Sequence, residues 1–104
     1  MSFNNKYKER NPETTIIYIK DFFIQRGYVI EEDSISTSLA GTWSCALCLY
    51  YNNHYILHAN GKGVTKEFCL ASGYAELYER FCNKMLWLAN PMISNRLAAY
   101  NYQN

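Results

Sequence analysis

Glu76 and Glu79 stand three residues apart. On an α-helix that spacing places both carboxylates on one face. Ser72 and Asn83 extend the same polar strip, with Arg80 on its margin. Most of the rest of the helix circumference is apolar. Leu70, Tyr74, Leu77, Phe81, Met85 and Leu88 form one stripe at about 100° per residue, and Ala71, Ala75, Tyr78 and Cys82 form a neighbouring one. A helix apolar over most of its circumference is mostly buried. Two like charges on its one polar strip repel, and burial makes an unanswered charge costly. Arg80 can answer one glutamate. A hard divalent cation can answer both, because Mg²⁺ takes carboxylate oxygens alongside nucleotide phosphates. A solvated strip with an ordinary Glu–Arg pair is the plainer reading of the same residues.

Three other groups invite chemistry. Gly61-Lys62-Gly63-x-Thr65 precedes the helix. Glycines at a helix N-terminus let the backbone approach a phosphate, although the pattern is not a P-loop. A hairpin exit turn is the plainer account of the same residues. Cys45-x-x-Cys48 has zinc-site or redox spacing, but on a strand the two side chains point to opposite faces. Cys69 and Cys82 form no second CxxC, and His54 and His58 follow too closely for a zinc-finger loop. The cysteines therefore read as reduced core thiols. The histidines read as members of the hairpin rim or of an aromatic cluster.

These residues must be positioned by a small set of elements. Asn11-Pro12 is an N-cap followed by a first-turn proline, and Ile16, Ile19 and Phe23 share a face, which predicts a helix over 12–26. Gly27 is its stop. Tyr28-Val29-Ile30 predicts a strand that fades into Glu31-Glu32-Asp33, and the Ser/Thr-rich stretch 34–41 predicts a loop. Residues 42–51 and 54–59 predict a hairpin around Asn52-Asn53, whose types tolerate positive φ. Gly61-Lys62-Gly63 predicts a sharp break, and Thr65 caps a helix over 65–89. The order helix, strand, hairpin, long helix predicts an α+β fold with helices packed on a small antiparallel sheet. Residues 1–11 read as a flexible arm and 94–104 as a frayed tail, bracketing a domain over 12–93. With Tyr51 opposite His54, simple alternation puts Leu49, Ile56 and His58 on one hairpin face and Cys48, Leu57 and Ala59 on the other. Both faces are then largely apolar, so one requires a partner.

Composition narrows the function classes. Ten basic and nine acidic residues give a net charge of +1, which argues against a general electrostatic nucleic-acid binder. No apolar run approaches the roughly 20 residues of a membrane span. Met1–Thr15 is polar and carries no apolar signal segment. Four cysteines without such a segment point to the cytoplasm.

The run Gly61-Lys62-Gly63-Val64-Thr65-Lys66 through Ala71-Ser72-Gly73-Tyr74-Ala75-Glu76-Leu77-Tyr78-Glu79-Arg80 has the pattern G-K-G-x-T-K-x-x-x-x-A-S-x-x-x-E-x-x-E-R. It resembles the YcaO family. The resemblance extends upstream through the first helix, Gly27 to Glu32, Trp43-Ser44 and Cys45-Ala46-Leu47-Cys48, and covers residues 8–89. YcaO proteins use ATP and Mg²⁺ to phosphorylate a peptide backbone amide oxygen, which a nucleophile then displaces. Members make azolines, thioamides and amidines in ribosomally made peptides, as cyclodehydratases and related enzymes do, and others assist methylthiolation of a ribosomal protein. The resemblance implies that Glu76 and Glu79 lie on the magnesium side of the site and that Ser72 lies beside the nucleotide. It also implies that Lys8 contacts the nucleotide, and that Thr15 stands where the family usually has serine. A YcaO domain runs to several hundred residues, and a second segment rich in glutamate and arginine completes its ATP site. Nothing after Arg80 supplies that segment, so the expectation is a truncated, split or remnant domain, inactive without complementary sequence. Its partners would be a peptide or ribosomal-protein substrate and either a complementary C-terminal segment or a second copy. The competing reading is a non-catalytic YcaO-derived module that binds a partner or a leader peptide.

Overall fold

Asn11 Oδ1 accepts the Glu13 N–H at 2.8 Å and Pro12 occupies the first helical position, which starts α1 (Pro12–Ile24). The computed structural model describes residues 11–89. The N-terminal arm before Asn11, Lys8 within it, residues 90–93 and the tail 94–104 lie outside the described residues. After α1 come β1 (Tyr28–Thr37), β2 (Trp43–Tyr51), β3 (His54–Gly63) and α2 (Lys66–Ala89). The sheet is antiparallel in the order β1-β2-β3. This is the predicted α+β architecture.

α1 ends two residues before the predicted last helical residue, 26. Arg26 and Gly27 donate to the carbonyls three residues back, at Phe23 and Ile24, which tightens the last turn. Gly27 then takes φ +85°, the left-handed conformation that ends helices. Asn52 and Asn53 take φ +51° and +65°, so the predicted two-residue hairpin turn forms with both central residues left-handed.

Both outer strands run longer than composition indicates. Residues 34–37 are strand rather than loop: Ser34 pairs with Ala46, Ile35 with Cys45, Ser36 with Ser44 and Thr37 with Trp43. The partner strand decides here, overriding the weak strand preference of serine. The pairing slips between Glu32 and Ser34, leaving Asp33 at a bulge. A turn closed by Ser38 N–H to the Thr42 carbonyl at 2.9 Å, with Gly41 at φ +88°, leads into β2. The predicted break at Gly61-Lys62-Gly63 is likewise strand. Cys45 pairs with Gly61, and Trp43 pairs with Gly63.

A second register shift, beside Leu49 and Tyr50, corrects the predicted hairpin faces. Tyr50 pairs with Tyr55, yet Leu49 pairs with Leu57, so Ile56 is the extra residue. Beyond it the alternation of β3 is inverted. Leu57 and Ala59 share the face of Leu49 and Leu47, and His58 and Asn60 share that of Cys48 and Ala46. One apolar face and one mixed face replace the two apolar faces that simple alternation predicted.

Both helices pack on the apolar face. Ile19 and Phe23 of α1 join Tyr74, Ala75, Leu77 and Phe81 of α2 around Leu47, Leu49 and Ala59. Phe23, Tyr28 and Phe81 meet edge to face with ring centroids 5.0–5.8 Å apart, the arrangement that aromatic quadrupoles favour. Tyr74 is fully buried and donates its hydroxyl to Glu32 Oε2 at 2.7 Å, while Lys20 Nζ lies 3.7 Å from the same oxygen. Burial, and then Glu32, push the Tyr74 phenol up, so it stays a donor.

Candidate functional site

α2 is capped by Thr65, whose Oγ1 accepts the Phe68 N–H at 3.1 Å and whose carbonyl accepts the Cys69 N–H at 2.9 Å. Its first turns lie close against β3. A Cβ on Gly61 would stand 2.4 Å from the Cys69 carbonyl oxygen and from the Gly73 nitrogen, and one on Gly63 would stand 2.6 Å from the Cys69 nitrogen. The Gly-Lys-Gly run therefore serves neither as a turn nor as a phosphate cradle. It is the place where a helix backbone meets a strand backbone. Gly73 completes the contact, since a Cβ there would meet Cys45 Sγ at 2.9 Å.

From Glu76 onward one margin of the polar strip of α2, Glu76, Arg80 and Lys84, follows the outer edge of β3. An edge strand leaves alternate N–H and C=O groups without a strand partner. Three side chains meet them. The Asn60 N–H donates to Glu76 Oε2 at 3.0 Å, Arg80 Nη1 donates to the His58 carbonyl at 3.3 Å, and Lys84 Nζ donates to the Ile56 carbonyl at 3.2 Å. Four helical residues rise about 6.0 Å, close to the roughly 6.7 Å of two strand residues, so the two ladders keep step. Arg80 Nε also lies 3.5 Å from Glu76 Oε2. Sequence reasoning gave Arg80 to one of the two glutamates without saying which, and missed Lys84 and the strand edge. The spacing of Glu76, Arg80 and Lys84 at i, i+4 and i+8 carried that signal. Replacing Glu76 with Ala should speed hydrogen exchange at the Asn60 amide by about one hydrogen bond's worth, roughly 1 kcal/mol. Glu76→Gln keeps an acceptor and should leave that amide protected.

Glu79 is placed differently. Its Oε2 is buried and has no hydrogen-bond partner among the described residues. Thr15 Oγ1 is in the same condition, and Thr15 is 3 % exposed. A buried polar atom left unpaired costs roughly 1–3 kcal/mol, more when charged, so each of these atoms calls for a partner from elsewhere. Ser72 is half-buried on α2, four residues before Glu76. The structure thus places Ser72, Glu76 and Glu79 along one helix and Thr15 on α1.

The remaining candidates resolve into structure. Cys45 and Cys48 lie on opposite faces of β2, paired with Gly61 and His58. All four cysteines are free thiols; Cys45 and Cys69 are buried, Cys48 and Cys82 half-buried. Cys45 Sγ donates to the Cys69 carbonyl at 3.4 Å, and Cys69 Sγ donates to the Gly61 carbonyl at 3.5 Å. Burial, followed by the adjacent Cys69 thiol, pushes the Cys45 thiol up to about 12. A raised folded-state pKa favours the protonated form. Its stabilising contribution is complete below pH 9 and is lost as pH rises from 9 toward about 12. Alkaline denaturation should therefore be shallower in Cys45→Ala than in wild type over that range, although the variant is less stable at neutral pH. His58 Nδ1 lies 2.7 Å from the Tyr55 hydroxyl, with the two rings stacked, which is an aromatic-cluster role. Among the described residues no three His, Cys, Asp or Glu side chains gather to hold a metal, and no helix is long and apolar enough to cross a membrane.

No protein-family model matches the chain, and a comparison with curated proteins found no match.

A magnesium–nucleotide pair fits these residues unequally. The unpartnered Glu79 oxygen and Thr15 hydroxyl fit a ligand that brings its own charge and donors. Glu76 is already engaged by Arg80 and the Asn60 N–H. To meet a cation it would have to use its other oxygen or give up Arg80.

Proposed function

We propose that this chain is the N-terminal part of a YcaO-like protein that uses ATP and Mg²⁺ to activate peptide backbone amides, and that it needs complementary sequence to act. The observation that carries the reading is Glu79: a half-buried carboxylate on α2, a helix buried along one face only rather than over most of its surface, with one oxygen sealed from solvent and unpartnered among the described residues, at the second glutamate of the E-x-x-E-R pattern. In this reading Glu79 and Glu76 hold Mg²⁺, Ser72 and Thr15 offer hydroxyls to the nucleotide, and Lys8 answers phosphate charge. Bound MgATP would supply the phosphoryl group that turns an amide oxygen into a leaving group. The chain's own task is to fix two carboxylates on a rigid helix, because α2 is clamped to β3 at the glycines and along the strand edge. The resulting product is an azoline, thioamide or related modification of a peptide or ribosomal protein in the cytoplasm.

Manganese–ATP provides the test, since Mn²⁺ replaces Mg²⁺ on oxygen ligands and broadens nearby amide resonances. With millimolar Mn²⁺–ATP, broadening should centre on residues 72–80 and should be lost in Glu79→Gln. Broadening confined to the acidic run Glu31-Glu32-Asp33, or unchanged by Glu79→Gln, would refute the assignment. One observation favours the second reading, a non-catalytic module that binds a partner. Glu76 already has two structural partners, and a glutamate that only clamps a strand edge needs no metal.

A further inference from the structure

The face of the sheet opposite the helices has no cover among the described residues, and its composition is ordered by strand. The register sets out rows across it: Val29, Tyr50 and Tyr55; Glu31, Cys48 and His58; Ser34, Ala46 and Asn60; Ser36, Ser44 and Lys62. The β1 column carries the acid. The β3 column carries an imidazole and an ammonium. The β2 column between them is small or apolar, and Ala46, Cys48 and Tyr50 are only half-exposed. Asp33, at the bulge of β1, adds to the acidic side: burial, then Asp33 and Glu31, push the Cys48 thiol above its ordinary value.

We infer that this face binds a second copy of the chain, sheet on sheet, about a two-fold axis running along β2. That operation lays β1 of each copy over β3 of the other and β2 over β2. Each Glu31 then meets the other copy's His58, and Cys48 lies beside its own counterpart. The alternative of joining two β1 edges would bring Glu31, Glu32 and Asp33 of both copies together, which like charges oppose. When the Tyr55 hydroxyl donates to His58 Nδ1, the ring proton sits on Nε2, a donor suited to a carboxylate. The paired faces measure roughly 15 by 25 Å from strand spacing and rise, about 400 Å² per copy. That is half of what a stable complex buries on each partner, so the dimer is weak and forms at high concentration. It needs no nucleotide, and it stands or fails independently of the proposed function.

Sedimentation equilibrium with two variants tests it. Glu31→Lys and His58→Glu should each weaken self-association at least about tenfold. An equimolar mixture of the two should associate again, because the new lysine faces the new glutamate and the native pair is retained once. Both positions are exposed, and circular dichroism checks their fold. In a Cys82→Ser background, alkylating Cys48 with a bulky maleimide should also block association. Four results would overturn the inference: a wild-type chain monomeric at the highest concentrations, which leaves the face to a complementary segment; association unaffected by either variant; no rescue on mixing; or association indifferent to the maleimide.

Discussion

Gly61→Ala is expected to unfold the chain or to lower its melting temperature by more than about 12 °C, read by thermal circular dichroism. The added methyl would stand 2.4 Å from the Cys69 carbonyl oxygen and the Gly73 nitrogen, and 2.7 Å from the Gly73 Cα. All three are backbone atoms of α2, so no side chain can rotate away. Relief requires the helix to withdraw from the strand. That would break the Cys69 thiol's bond to the Gly61 carbonyl and unseat the buried Cys45, Leu47 and Tyr74 around the contact. Overpacking a core commonly costs about 1–3 kcal/mol, and backbone-to-backbone overlap lies at or beyond the upper end. In a domain of this length each kcal/mol moves the midpoint by roughly 4–8 °C. Gly41→Ala is the control. A Cβ there has nothing within 4 Å, and its only penalty is φ +88°, about 1–2 kcal/mol. Equal effects at the two positions would show that α2 does not approach β3 as described.

The helices, the hairpin turn and the α+β order were legible because their signals are local. Asn11-Pro12 and Thr65 cap helices, Gly27 ends one, and two asparagines make a turn. The ends of β1 and β3 were not legible, because they depend on what lies beside them. Serines at 34 and 36 become strand only by pairing with β2. Gly61 and Gly63 look like a break until a helix is laid across them. The inverted half of β3 was hidden for a similar reason: a single extra residue, Ile56, exchanges Leu57 and Ala59 for His58 and Asn60 on the open face. At the candidate site, the helical spacing placed Ser72, Glu76 and Glu79 on one strip. It could not show that Glu76 faces a strand edge while Glu79 has an oxygen sealed from solvent. That difference depends on how α2 is rotated against the sheet, which the three glycines set.

The glutamates carry the second large effect. In a complex with the complementary segment that completes the nucleotide site, Glu79→Gln and Glu76→Gln should each abolish ATP-dependent turnover. A neutral amide keeps the shape but gives up the charge that a hard cation requires. The apo fold should survive both changes, and easing the repulsion between neighbouring carboxylates can return a few tenths of a kcal/mol. Thr15→Val should reduce nucleotide affinity less, by about 1 kcal/mol, because it removes a neutral hydrogen bond. The same change removes an unpartnered buried hydroxyl, so it should leave the isolated chain as stable or slightly more stable.

The most direct measurement is magnesium-dependent ATP turnover on a peptide substrate by this chain together with that complementary segment, for wild type and for Glu79→Gln. Neither piece alone should turn over ATP, the pair should, and the activity should be lost in a Glu79→Gln chain that still folds and still joins its partner. A pair that turns over ATP equally well after the Glu79→Gln change, or a Glu79→Gln chain that no longer folds, would make the glutamate structural and contradict the proposed site.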